Sequence, residues 1–235
     1  MILAAGLGTR FKPWTDLHPK ALAVVNGKSL LQRNIEYLQR FGIREVVVNV
    51  HHFGGQIIEA LELNQGWGSR IMISDESAEV LETGGGLKKA RPFLEDAPFV
   101  LMNADILTDM DLGAMIDDHF KHLPLATLAI TGRSTSRYFL FDRENRLCGW
   151  RNIQTGQERI ARAVAGEMHQ MAFSGIHVID PALFGLVSQE GKFSMIDVYL
   201  DLAASRSIRG FDHSRSMLID VGKPAAAAEA GKLFQ

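Results

Sequence analysis

The chain has 235 residues, 46% hydrophobic and 22% charged, with a formal net charge of −2. That length suits one large α/β domain or two small ones, and it is long enough to bury a sizeable core. The near-neutral balance excludes a bulk electrostatic case for nucleic acid or an anionic membrane, so a phosphorylated partner would need local cations.

The single cysteine, Cys148, can build neither a disulfide framework nor a cysteine zinc site. It fits a reducing compartment. The apolar start Met1–Ala5 stops at Gly6, too soon for a signal-peptide core. No apolar run approaches the roughly 20 residues of a membrane span. The expectation is a soluble cytoplasmic protein.

In chain order, Met1–Ala5 reads as a strand. Leu31, Ile35 and Leu38 share one helical face, with Gly42 as the stop. Glu45–Val50 is a β-branched run of the kind found in buried parallel strands. A short helix carries Ile57, Ile58 and Leu61, and Ile71–Ser74 is a further strand. A glycine-started helix is expected over Thr83–Leu94, a strand over Phe99–Met102, and a helix through Leu112, Met115, Ile116 and Phe120. Leu125–Thr131 closes this series. The alternation predicts βαβ units and a mainly parallel sheet, with ligands at the carboxyl ends of its strands.

The second half is less regular. Strands are expected at Phe139–Phe141, Leu147–Trp150, Met171–Ile179 and Met217–Val221. Helices are expected at Ser194–Ala204 and Lys223–Phe234, the latter with Pro224 in its first turn. We expect a single domain over 1–235, with residues 1–131 as a nucleotide-binding half and 132–235 as a sugar-binding half with the closing helix.

The loop after the first strand reads Gly6-Leu7-Gly8-Thr9-Arg10-Phe11. Phe11 stands where a dinucleotide fingerprint has its third glycine, and no Walker A Gly-Lys-Ser/Thr follows. Glycines let backbone N–H groups approach an anion, Thr9 adds a hydroxyl, and Arg10 can fork onto phosphate oxygens. Lys20 adds charge behind Pro19, whereas Lys12 reads as a solvated side chain. Two aspartates end predicted strands: Asp105 after Asn103-Ala104, and Asp220 before Val221-Gly222. Each alone suits a cap or turn. Together, in a phosphate-binding protein, they suggest a Mg²⁺ site completed by water and substrate phosphates. Asp109 and Asp111 fit better as caps of the helix at Leu112.

Leu3-Ala4-Ala5-Gly6-x-Gly8-Thr9-Arg10-x-x-Pro13, followed by Pro19-Lys20, resembles the signature of the sugar-1-phosphate nucleotidyltransferases, the NDP-sugar pyrophosphorylases. Leu81-Glu82-Thr83-Gly84-Gly85-Gly86, Phe173-Ser174-Gly175-Ile176 and Pro181-Ala182-Leu183-Phe184 are similar to the short N-acetylmuramate 1-phosphate uridylyltransferases of cell-wall recycling. The resemblance is poor over residues 132–170. Ala104 stands where the family usually has glycine, and Leu218 where a tryptophan is frequent. The first strand is also shorter at its front than usual, so a residue or more is expected to be missing from the start.

The resemblance implies a three-layer, Rossmann-like, mainly parallel sheet flanked by helices. It implies transfer of a nucleotidyl group from a nucleoside triphosphate, UTP favoured, to a sugar 1-phosphate. Arg10 and Lys20 would be catalytic, and Asp105 and Asp220 would hold Mg²⁺. Ala4, Ala5, Gly6, Gly8, Thr9, Glu82, Gly84, Gly85 and Asn103 would bind the nucleotide. Asn103, Ser174 and Gly175 would meet the sugar. Thymidylyl, guanylyl or cytidylyl transfer and a non-catalytic nucleotide- or sugar-binding module are the alternatives. Neither nucleic acid nor membrane is an expected partner, and the oligomeric state stays open. Trp150-Arg151-Asn152 reads as an exposed hairpin, and His51-His52 as structural.

Overall fold

The structure, a computed structural model of the chain, describes residues 1–164 and 166–234. In chain order the elements are β1 (Ile2–Leu3), β2 (Val24–Val25), β3 (Lys28–Ser29), α1 (Leu30–Arg40), β4 (Glu45–Val50), α2 (Gly54–Leu63), β5 (Arg70–Asp75) and α3 (Glu82–Lys89). There follow β6 (Phe99–Asn103), β7 (Ile106–Thr108), α4 (Leu112–His122), β8 (Ala126–Thr131), β9 (Arg137–Phe141), β10 (Leu147–Asn152) and β11 (Glu158–Ile160). The chain closes with β12 (His169–Ile179), α5 (Met195–Leu202), β13 (Ile208–Asp212), β14 (Leu218–Asp220) and α6 (Pro224–Leu233). This is the expected Rossmann-like α/β class, a mixed sheet flanked by helices.

The chain forms two compact units. The first comprises Met1–Phe93, Met102–Asp109 and the chain from Leu218 onward; the second comprises Leu94–Leu101 and Met110–Met217. The closing helix, grouped with the second half from sequence, therefore belongs with the first unit. β14 pairs antiparallel with β7, more than a hundred residues earlier, and carries α6 with it.

In the first unit β5, β4, β1 and the end of β6 run parallel. The β-branched run of β4 explains its central place, with Val46, Val47, Val48 and Val50 all buried. The α1 helix starts at a Ser29 cap whose hydroxyl accepts the Gln32 amide at 3.1 Å. It buries Leu30, Leu31, Ile35 and Leu38 completely. Beyond its end, Gly42 adopts the left-handed φ of +78°.

In the second unit β8, β12, β9, β10 and β11 pair antiparallel in that order, and β13 adds to β8 in parallel. Here His177 of β12 and Tyr199 of α5 share a buried 2.6 Å hydrogen bond. Burial pushes the His177 imidazole down to about 3 and raises the Tyr199 phenol. The folded protein thus keeps His177 neutral where the unfolded chain takes up a proton, below about pH 6.5. Its contribution to stability is full above that pH and is lost progressively as pH falls towards 3. His177→Gln is therefore expected to flatten the acid limb of a Tm-against-pH profile, relative to wild type, between about pH 6.5 and 4.

The helix expected over Thr83–Leu94 ends at Lys89, because Pro92 lies within the following turn Arg91–Phe93 and cannot continue it. No helix among the described residues is long and apolar enough to cross a membrane.

Candidate active site

Leu3 of β1 lies opposite Asn49 of β4 on one side and Asn103 of β6 on the other. The segments that follow these strands therefore share one edge of the parallel sheet. Ala104 and Asp105 form the turn from β6 into β7, tied to β1 by the Ala104 amide on the Leu3 carbonyl at 3.1 Å. Ala104 is not among the residues of positive φ, so this turn accommodates alanine without strain. Asn34 of α1, 2% exposed, donates its amide to the Ala104 carbonyl at 2.8 Å and fixes the turn from beneath. The sequence reading missed Asn34. Its signal was a polar residue three positions after Leu31, on the apolar face of the helix.

Lys20 forms an ion pair with Asp105, the lysine side chain 12% exposed and the carboxylate 25%. The Val221 amide bonds the Asp105 carbonyl at 2.8 Å, and Asp220 lies opposite Ile106 in the β14–β7 pair. The backbones carrying the two aspartates are thus hydrogen-bonded neighbours. A β-carbon on Gly222 would lie 2.9 Å from Asp220 Oδ1 and 3.2 and 3.3 Å from the terminal nitrogens of Arg10. Arg10 and Asp220 therefore crowd around one glycine, in space that a side chain would fill.

The four charged residues picked out from sequence, Arg10, Lys20, Asp105 and Asp220, belong to this one locus. An apolar cluster of Phe11, Ala23, Val25, Leu30, Leu107, Ile219, Val221 and Ala230 includes neighbours of each turn or strand in it. Phe11, which breaks the dinucleotide pattern, is 5% exposed and anchors the residue next to Arg10 in this cluster. Among the described residues no three or more His, Cys, Asp or Glu side chains group as a metal site. Asp105, paired with Lys20, and Asp220 are the carboxylates that this locus would present to a divalent cation.

The glycine loop is held against this locus by contacts that need glycine. Gly8 has φ +60°, and a β-carbon there would lie 2.8 Å from Thr15 Cγ2 and 3.1 Å from Lys20 Cβ. Its carbonyl accepts the Phe11 amide at 2.8 Å and the Thr15 hydroxyl at 3.0 Å. Gly6, Thr9 and Arg10 are exposed, whereas Ala4 and Ala5 are buried. The Ala4 amide is bonded to Asn49 Oδ1 at 2.7 Å, so a ligand contact from the Ala4 backbone has to use the carbonyl. Lys12 pairs with Asp16 at 2.9 Å in the open, the solvated role expected of it.

Gly84 and Gly85 are buried in the first turns of α3, within the glycine-started helix expected there. Glu82 opens that helix at φ +59°, a left-handed conformation costing a residue with a β-carbon about 1–2 kcal/mol. Just upstream, the Ser77 amide bonds the Asp75 carboxylate at 2.7 Å and holds that group below the usual carboxylate range.

Ser174 and Gly175 lie in the second unit. Ser174 is 1% exposed, and its hydroxyl shares a 2.8 Å hydrogen bond with His213 Nε2. Gly175, at φ +74°, lies where the register of β12 on β8 shifts between Phe173 and His177. Trp150, Arg151 and Asn152 lie on the β10–β11 hairpin, with Arg151 paired to Glu158 at 2.5 Å. His51 and His52 bond the backbone carbonyls of Glu76 and Thr15. Asp111 caps α4 through the Ala114 amide at 3.0 Å.

Residues 1–139 match the family model described as nucleotidyl transferase. The N-acetylmuramate alpha-1-phosphate uridylyltransferase of Caulobacter vibrioides is 31% identical over 98% of this chain and 95% of its own length. The Neisseria meningitidis enzyme of the same name is 44% identical over 48% of this chain and 49% of its own. Crystalline HddC from Yersinia pseudotuberculosis, complexed with GMP-PN, superposes with a TM-score of 0.77 at 22% identity, over 100% of this chain and 98% of that one. The chain belongs to the nucleotidyl transferase family, as an enzyme of the sugar-1-phosphate nucleotidyltransferase class.

Proposed function

We propose that the protein joins UTP to a sugar 1-phosphate, N-acetylmuramate 1-phosphate in the first instance, giving a UDP-sugar and pyrophosphate. The observation that carries this reading is the single locus of Lys20 on Asp105 and Arg10 beside Asp220. It supplies two cations for a polyphosphate and two carboxylates for a divalent ion. The choice of uracil and of this sugar rests on the name of the Caulobacter relative, which aligns along nearly its full length.

In the proposed reaction a sugar phosphate oxygen forms a bond to the α-phosphorus of UTP. The bond from that phosphorus to the bridging α,β oxygen breaks, and pyrophosphate leaves with the electron pair. The protein has little covalent work to do, so positioning and charge stabilisation supply the rate. Arg10 grips the β- and γ-phosphates through its fork and steadies the departing group. Lys20, a compact charge on a half-buried stem, moves to the oxygens around the α-phosphorus as charge builds there.

Asp105 and Asp220 fit a Mg²⁺ ion, which when bound offsets phosphate charge and aligns the two substrates. Gly6, Gly8 and Thr9 line the triphosphate with backbone and hydroxyl groups. The Ala4 carbonyl, Glu82, Gly84 and Gly85 meet the base, and Asn103 meets the ribose or sugar. Gly175 offers backbone to the sugar, with Ser174 holding its turn through His213. Residues 1–131 then act as the nucleotide side and 132–217 as the sugar side.

The test is a panel of UTP, dTTP, GTP and CTP against several sugar 1-phosphates with Mg²⁺, read as pyrophosphate release. UTP with N-acetylmuramate 1-phosphate is expected to give the highest kcat/KM. A faster pair with another base would transfer the reading to thymidylyl, guanylyl or cytidylyl transfer. Silence across the panel would overturn it.

A further inference from the structure

The first unit contains a buried polar pair for which the proposed chemistry has no use. Asn49 of β4 is 2% exposed and Glu76, one residue past β5, is 1% exposed. Asn49 Nδ2 donates to Glu76 Oε1 at 2.6 Å. On one side, Asn49 Oδ1 accepts the Ala4 amide at 2.7 Å. On the other, Glu76 Oε2 accepts the Leu81 amide at 3.3 Å. The backbone of Glu76 is itself pinned, by its amide on the Val50 carbonyl at 2.8 Å and its carbonyl on His51 Nδ1 at 2.7 Å. A continuous bridge thus runs from Ala4 through Asn49 and Glu76 to Leu81.

Both ends of the bridge are backbone amides of the segments that the nucleotidyl-transfer reading sets against the nucleotide. Ala4 is where the chain leaves β1 for the glycine loop. Leu81 precedes Glu82, the left-handed residue that opens α3. The helix also packs directly on the pair: a β-carbon on Gly86 would lie 2.6 Å from Glu76 Oε1 and 3.0 Å from Asn49 Nδ2. Burying a carboxylate is costly unless its oxygens are satisfied. Here each oxygen is spent on one connection, so a change at either end is felt at the other.

We infer that Asn49 and Glu76 are positioning residues that set the spacing between Ala4 and the glycine-rich start of α3, and through it the grip on the nucleobase. The inference rests on the nucleotidyl-transfer reading for the identity of what lies between those segments. The two residues touch no reacting atom. They act through Ala4 and through Leu81 and Gly86.

Glu76→Gln tests this without changing size. Glutamine offers one acceptor oxygen where the carboxylate offers two, so it can serve Asn49 or Leu81 but not both. Affinity is measured by calorimetry for UTP and for inorganic tripolyphosphate, which has no base. The Kd for UTP is expected to rise about ten- to hundredfold, the effect of losing a hydrogen bond to a charged group. The Kd for tripolyphosphate should stay within about twofold, because Asn49 Oδ1 still accepts the Ala4 amide that leads into the glycine loop. In turnover, KM for UTP should rise while kcat at saturation stays within about threefold, since a base contact is equally strong before and at the transition state.

Gly86→Ala, which favours the helix but wedges the pair, is expected to give the same pattern and decides the matter if Glu76→Gln does not fold. Unchanged UTP affinity, or equal losses for both ligands, would overturn the inference. Failure of the underlying reading looks different: wild-type protein would itself bind UTP no better than tripolyphosphate.

Discussion

Asp105→Asn is expected to lower kcat for pyrophosphate release by about 10³-fold while the protein stays folded. Replacing a partner that merely orients a metal ligand typically costs 10–100-fold, and Asp105 is proposed as a ligand itself. The fold should tolerate the change because Asp105 supports β14 through its backbone carbonyl, which accepts the Val221 amide, and not through its carboxylate. Asparagine keeps an oxygen that accepts from Lys20, so the lysine side chain, 12% exposed, is not left without a hydrogen-bond partner. A Tm within a few degrees of wild type, together with a collapsed rate and a raised Mg²⁺ requirement, would fit. A rate within about threefold of wild type would remove Asp105 from the metal site.

Lys20→Ala should cost about 10²–10³-fold in kcat, the range for removing one preorganised charge stabiliser from a reacting centre. Alanine retains the β-carbon against which Gly8 packs, so the glycine loop keeps its support. The effect should fall mainly on kcat, because the proposed contact strengthens as charge develops around the α-phosphorus. Arg10→Ala offers a contrast, since a grip on the β- and γ-phosphates exists in the ground state and its loss should raise the KM for UTP as well. Unchanged turnover together with unchanged triphosphate affinity in Lys20→Ala would sink the assignment.

The parallel half of the fold was legible because its central strands β4 and β6 are buried and read as plain apolar runs. Glu45–Val50 appears in the structure with the limits read from sequence. The β7–β14 pair was harder. Ile106–Thr108 is three residues long and gains its partner only across a separation of more than a hundred residues, which no local pattern encodes. That pairing also makes the backbones carrying Asp105 and Asp220 neighbours, so the aspartates were recognisable singly while this adjacency was not.

The polar supports escaped for a related reason. Asn34 and Asn49 each interrupt an apolar pattern, which flags them. Their partners are the Ala104 carbonyl and the Ala4 amide, backbone groups that carry no residue signature. The helix that carries Gly84 and Gly85 was legible, but the reason for glycine was not: at Gly86 the helix packs directly on Asn49 and Glu76, which belong to other segments of the chain. Base and sugar selectivity was illegible from residue types for the same reason: the proposed contacts at Ala4, Gly84, Gly85 and Gly175 run largely through backbone.

The most direct test of nucleotidyl transfer follows the atoms. Purified protein is incubated with UTP, Mg²⁺ and N-acetylmuramate 1-phosphate carrying ¹⁸O in its bridging oxygen, and the products are read by ³¹P NMR and mass spectrometry. The account predicts one pyrophosphate for each UDP-sugar formed, with the label retained in the UDP-sugar. Release of UMP or inorganic phosphate without a labelled UDP-sugar would contradict it.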